Sequence, residues 1–161
     1  MSKRIDIEHI EPEIGSRYPD PYNLPIRTRI RKRLGDAANL TQIGVNLITL
    51  PPGAWSSQRH WHTDLDEFTY VLSGEVVLVT EAGDETLQAG DAAGFKAGDP
   101  NGHHFQNRSG QDAVLLDMGT RSGAGFCHYS DVDMIGPPFD DPAPLTRRDG
   151  TPYQNLIRRG P

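Results

Sequence analysis

The chain is 161 residues long, carries a formal net charge of −6 and contains one cysteine. A single domain of that length buries a real core, while the acidic balance is unsuited to neutralising phosphates and argues against a nucleic-acid partner. The lone Cys127 excludes an internal disulfide, fits a reducing, cytoplasmic setting and reads as a small buried hydrophobe.

Residues 1–25 are polar and broken by Pro12, Pro19, Pro21 and Pro25. They show no apolar run of signal-peptide type and read as an extended arm with one short strand over 5–10. Residues 26–34 alternate, with Ile26, Ile30 and Leu34 on one face and Arg27, Arg29, Arg31 and Arg33 on the other. A period of two predicts a half-exposed strand whose arginine face is solvated or salt-bridged, with a nucleic-acid or acidic-partner site as the alternative that the acidic total disfavours. Further strands are predicted over 41–50, 58–62, 67–72, 75–80, 85–88, 92–96, 103–107, 112–120 and 125–129. Turn signals such as Pro51-Pro52-Gly53, Ser73-Gly74 and Gly90-Asp91 separate them. No stretch keeps a helical apolar period or reaches the ~20 apolar residues of a membrane helix, so no membrane partner is expected. From 131 the chain turns rich in proline and charge. The expected division is an N-terminal arm (1–40) adding strands to the barrel or to a dimer interface, an all-β barrel or jelly roll (41–130), and a Pro-rich C-terminal tail packing on it (131–161).

Four of the six histidines fall in two short segments, His60-Trp61-His62 and His103-His104. Alternate strand residues share a face, so His60 and His62 can share one cation while Trp61 points away. On the next strand Glu67, Thr69 and Val71 share a face, and a carboxylate there is costly without a partner. A third imidazole comes from the 103–104 pair. Imidazoles with a carboxylate suit a first-row divalent ion (Fe, Mn, Ni, Cu or Zn) rather than Ca or Mg.

The spacing Gly53-x6-His60-x-His62-x4-Glu67-x6-Gly74, followed by Gly90-x7-Gly98-x4-His103-x3-Asn107, resembles the paired signature motifs of the cupins. These are small β-barrels that usually hold a metal through three His and one Glu. The resemblance covers roughly residues 41–121, and the stretch from Arg59 to Arg121 is similar to small single-domain bacterial cupins. It implies His60, His62, Glu67 and His103 as metal ligands, with His103 rather than His104 as the third imidazole. It also favours a homodimer formed through the N-terminal strands. The spacer before His60 is one residue longer than usual, Lys96 stands where proline is common, and the turn from Gly98 to Gly102 is long. None of these touches a ligand position; they bear on the pocket rim.

Three His and one Glu leave coordination positions open, as a catalytic metal requires. The resemblance therefore implies a metal-binding cupin, expected as an enzyme on a small polar organic molecule. Oxygenase-like chemistry comes first, isomerase or lyase chemistry next, and a non-catalytic ligand- or metal-binding cupin is the alternative. The cofactor would be divalent Fe, Mn, Ni or Zn. Lys96, Phe105 and Asn107 are candidate substrate contacts, although Asn107 also reads as a turn residue bonding its own strand end and Lys96 as a solvated loop residue. Gln58, Arg59 and Gln106 are further rim candidates.

Overall fold

In a computed structural model, which describes residues 3–121, 123–138 and 141–154, the chain is almost wholly β. Strands β1 (Glu13–Ile14) and β2 (Ile30–Arg33) precede a one-turn helix α1 (Leu34–Ala37) and β3 (Ile43–Leu50). There follow β4 (His60–His62), β5 (Glu67–Ser73), β6 (Glu75–Thr80), β7 (Gly83–Gln88) and β8 (Ala92–Phe95). The last four are β9 (His104–Gln106), β10 (Ala113–Thr120), β11 (Cys127–Tyr129) and β12 (Ile135–Gly136).

The strands form a six-stranded sheet, β1-β2-β3-β10-β5-β8, and two three-stranded sheets, β12-β11-β4 and β7-β6-β9. The two small sheets meet at an antiparallel bridge between His60 and His103, whose amides and carbonyls exchange bonds of 3.1 and 2.9 Å. Together they make a second face, β12-β11-β4-β9-β6-β7, opposite the large sheet. This is a jelly-roll sandwich whose sheets stay open, not a closed barrel. Its core lies between the faces, where Ile48, Leu50, Val71, Val76, Phe105 and Leu115 are all buried. Cys127, Tyr129 and Met134 form a second apolar cluster at one end, covered by Tyr18, Leu145 and Tyr153.

Alternation along β5 sorts the side chains as the sequence predicts. Thr69 and Val71 are buried and Glu67 half-buried, while Phe68, Tyr70 and Leu72 face outward. The turn into β6 depends on Gly74, whose φ of +78° suits glycine, and a Cβ there would stand 2.6 Å from the Asp112 carbonyl oxygen.

The N-terminal region departs from expectation. Residues 5–10 form turns rather than a strand, and only Ile30–Arg33 of the predicted 26–34 strand is extended. The reason is local: Pro25 sits inside a 3-10 turn over Leu24–Ile26, and the Arg29 amide closes back on the Ile26 carbonyl at 3.0 Å. The short β1 and β2 pair with each other and extend the large sheet through β3. At the other end, β12 pairs with β11 and lies inside the region read as a Pro-rich tail packing on the barrel. Residues 139–140 and 155–161 of that tail lie outside the described residues.

Candidate metal centre

Four side chains from both faces of the sandwich converge. His60 and His62 project inward from β4, His103 from the residue preceding β9, and Glu67 from β5 of the large sheet. The Nε2 atoms of His103, His62 and His60 lie 3.1, 3.5 and 3.7 Å from the Glu67 carboxylate oxygens. Two ligands each ~2.1 Å from one ion, at angles between octahedral and tetrahedral, stand ~3.0–3.4 Å apart, so the spacing fits a shared cation. Candidate ligand atoms of His60, Glu67 and His103 all fall within 4.8 Å of one another.

The surroundings orient the ligands. The His60 Nδ1 lies 2.9 Å from the Gln58 carbonyl; donating to that oxygen leaves the Nε2 lone pair for a metal. His103 stacks on Phe95 with ring centroids 3.4 Å apart. Burial alone would raise the Glu67 carboxyl, but His103, His60 and His62 outweigh it and hold it well below the usual carboxylate range. Burial takes His103 down to about 4 despite Glu67, which keeps its imidazole neutral and able to ligate at neutral pH.

His104 points the other way. Its Nδ1 bonds the Ser57 carbonyl at 2.9 Å, its Nε2 accepts from the Gln106 amide at 2.9 Å, and its ring meets Trp55 edge-on. Phe105 is buried and lines the pocket beside the cluster. Asn107 is buried but committed to the chain itself: its amide donates to the Leu50 and Gln111 carbonyls at 2.6 and 2.7 Å, and its oxygen accepts from Ser109. Gln58 donates to the Tyr22 carbonyl, and Arg59 binds Glu81 and Asp131, so both hold the scaffold. Lys96 is exposed and borders a second cavity of about 310 Å³ on the β8 side of the cluster, with Asp99 also in its lining.

The main pocket has a volume of about 320 Å³. It brings in residues that sequence reasoning did not place there. Cys127, in register with His62 on the paired strand, joins His60 and His62 in a second potential ligand group. Asp117 on β10 lies across from Thr69, whose hydroxyl donates to it at 3.1 Å, while the Asn46 amide donates at 3.4 Å. Burial, and then the Glu67 carboxylate, push the Asp117 carboxyl up. Its alternation with the buried Leu115 was the available signal, since both fall on the inward face of β10.

The arginine face of β2 also turns inward. Arg29 is buried, with its Nη atoms donating to the Ser56 and Gly15 carbonyls at 2.6 and 2.7 Å. Arg31 and Arg33 share the Glu13 carboxylate. Burial would raise Glu13, but Arg31 and then Arg33 hold it at about 2. All three arginines line the same pocket as the metal-ligand candidates. The face read as solvated or salt-bridged therefore divides: Arg27 is exposed, Arg31 and Arg33 are salt-bridged and half-buried, and Arg29 is interior.

Residues 46–119 match the Cupin domain family, and a crystal structure from Silicibacter pomeroyi DSS-3, described as a sugar phosphate isomerase from a cupin superfamily, is 44% identical. That match covers 96% of this chain and 99% of the other, with a TM-score of 0.87. The chain belongs to the cupin superfamily. A second structure, from Acidithiobacillus ferrooxidans ATCC 23270 and given provisionally as a sugar phosphate isomerase, is 27% identical over 82% of each chain, with a TM-score of 0.69. The polyketide cyclase RemF of Streptomyces resistomycificus, 21% identical over 74% of this chain and 80% of its own, shares the cupin fold with a TM-score of 0.60. No curated protein matches the chain.

Proposed function

We propose that this cupin is a metal-dependent enzyme acting on a small polar organic molecule, with isomerisation of a sugar phosphate as its reaction. The convergence of His60, His62 and His103 on the half-buried Glu67 carries the metal-dependent part. The description of the 44% identical relative supports isomerisation ahead of the oxygenase-like chemistry expected from the sequence.

A first-row divalent metal held by His60, His62, Glu67 and His103 would supply a Lewis acid for a substrate carbonyl. The rest falls to the chain's own side chains. Ile48, Phe105 and Leu115 line the pocket with apolar surface and limit water. Interconverting an aldose and a ketose moves a proton between adjacent carbons. Asp117 takes the proton from the carbon beside the carbonyl and returns it to the carbonyl carbon, while the hydroxyl proton of the first carbon passes to the former carbonyl oxygen. A buried carboxyl with a raised pKa does this better than an exposed one, because it accepts and releases a proton nearer to neutral pH.

The test is metal analysis of anaerobically purified protein, followed by an isomerase assay on a panel of aldose and ketose phosphates. The expected result is near-stoichiometric transition metal and turnover abolished by chelation. Asp117→Asn should retain metal and lose ~10²–10⁴-fold in kcat. Full activity in Asp117→Asn removes that residue from the mechanism. A protein that binds no metal under these conditions sinks the metal-dependent reading.

We also infer a homodimer, formed through the outer face of the large sheet rather than through the N-terminal strands. Two apolar rows cross that face, Leu47-Leu116-Tyr70 and Val45-Met118-Phe68. Phe68, Tyr70 and Leu72 are 43%, 38% and 45% exposed. The five strands from β2 to β8 are four spacings, ~19 Å, across and an eight-residue strand runs ~27 Å, so the face is of the same order as the ~800 Å² that each partner gives a standard interface.

A further inference from the structure

We infer that Arg29, Arg31 and Arg33 form an anion-binding subsite in the metal pocket, which takes the phosphate or carboxylate of the substrate while its opposite end reaches the metal ligands. The inference rests on the proposed metal-dependent reading for the second half of that statement, and on the arginines alone for the first.

Position comes first. Arg31 and Arg33 lie opposite Ile48 and Asn46 on β3. Asn46 lies opposite Asp117 on β10, and Asp117 opposite Thr69 on β5. One transverse row of the sheet therefore runs Arg33-Asn46-Asp117-Thr69, with Glu67 two residues along β5 on the same face. Three strand spacings separate β2 from β5, ~14 Å between backbones. The pocket that these side chains line has a volume of about 320 Å³, within the range of small-molecule sites. A ligand spanning it passes directly over Asp117.

Charge comes second. Four guanidinium groups, of Arg29, Arg31, Arg33 and Arg121, line a pocket in a protein whose net charge is −6. The carboxylates paired with them are Glu13 and Asp36. Arg31 and Arg33 share Glu13, and Arg33 and Arg121 share Asp36, so neighbouring guanidinium groups divide carboxylates between them.

The third observation is Arg29 itself. It is only 7% exposed, its two recorded acceptors are backbone carbonyls, and its buried Nε finds no hydrogen-bond partner among the described residues. Burial lowers its guanidinium to about 10, so it remains charged at neutral pH. Burial and the neighbouring Arg31 charge weigh against that cation, it makes no salt bridge among the described residues, and an anionic ligand in the adjoining pocket offsets the cost. Lys96, on the other side of the cluster, is exposed and shares its cavity wall with Asp99. It makes the weaker anion site.

The experiment titrates inorganic phosphate and malonate separately into purified protein by calorimetry. Wild type, Arg31→Gln, Arg33→Gln and the ligand variant His62→Ala are compared, at constant ionic strength. The expected result is saturable binding of at least one anion to wild type, weakened at least tenfold in Arg31→Gln or Arg33→Gln and preserved in His62→Ala. Tighter phosphate binding identifies a phosphorylated substrate, and tighter malonate binding a carboxylated one. Absence of binding by both anions, or affinity unchanged in both arginine variants, overturns the subsite. Loss of binding only in His62→Ala assigns the anion to the metal instead and also overturns it. Should the arginine variants fail to fold, phosphorus NMR on Mn²⁺-loaded wild type decides. Phosphate relaxed by the metal and displaced by malonate supports the subsite only if Arg31→Lys, which keeps the charge beside Glu13, weakens it; unchanged relaxation overturns it. A protein that lacks metal but binds phosphate through the arginines sinks the metal reading and leaves the subsite standing.

Discussion

At the scale of single residues, the metal cluster is four side chains that are each affordable only because of the others. Glu67 would be an expensive carboxylate between two apolar-lined sheets without three imidazoles facing it. His62→Ala is expected to lose metal while keeping its fold, because the apolar core between the faces does not include it. Thermal melts of metal-stripped wild type and variant should agree within ~3 °C, equivalent to about 1 kcal/mol at this chain length. Global unfolding of the variant would make the cluster a structural one. The ligand candidates were legible because strand alternation and spacing are local properties. Asp117, Arg29 and Cys127 were not, because their place in the pocket depends on which strands become neighbours. Asn107 had two readings in the sequence, and its bonds to Leu50 and Gln111 follow the turn one.

At the scale of elements, two contacts decide how the ends of strands are held. Gly74 occupies a left-handed position with backbone where a side chain would go, whereas Gly90, with φ +102°, has nothing within 4 Å of a built Cβ. Gly74→Ala should therefore destabilise more than Gly90→Ala, which meets only the conformational penalty of ~1 kcal/mol; parallel denaturant titrations measure the difference. The second contact is Glu13, which ties β1 to Arg31 and Arg33 of β2. Its carboxyl lies at about 2 in the folded chain against an ordinary 4.5, so the folded state holds the ionised form more tightly. The stabilisation is fully present above the ordinary value and is lost as pH falls toward 2. The melting temperature of Glu13→Gln should lie below that of wild type at pH 7, and the gap should close between pH 4.5 and 2. A gap independent of pH would mean that the carboxylate contributes nothing by its charge. The sequence pattern over 26–34 holds its alternation only over Ile30–Arg33, where the arginines share the pocket-facing side rather than the outer one. Alternation identifies which residues share a face, but it cannot reveal that Pro25 and a tight turn consume the first half of the segment.

At the scale of the whole molecule, the architecture separates two surfaces of the large sheet. The inner one carries Glu67, Asp117 and the arginines; the outer one is apolar. Covering the outer face with a second copy would leave the pocket untouched. Light scattering at micromolar concentration should give a dimer mass, and Tyr70→Glu with Leu72→Glu should give a monomer that still binds metal. A wild-type monomer at that concentration would rule out the proposed assembly. The jelly-roll class was legible in the rhythm of short strands and turns, whereas the open edges were not. Closure depends on bonds between strands far apart in the chain, and strand lengths alone do not fix them.

Among the described residues, the bridge between His60 and His103 is the pairing that joins the two small sheets across β4 and β9. The residues that would grip the ion are thus also the ones whose main chain sews one wall of the sandwich together. Occupancy of the site would act as a rivet on that seam, slowing its breathing motions far more than it alters the average shape. The amide protons of His60 and His103, which exchange with solvent only when the seam opens, would become a built-in gauge of how well the protein is supplied with metal.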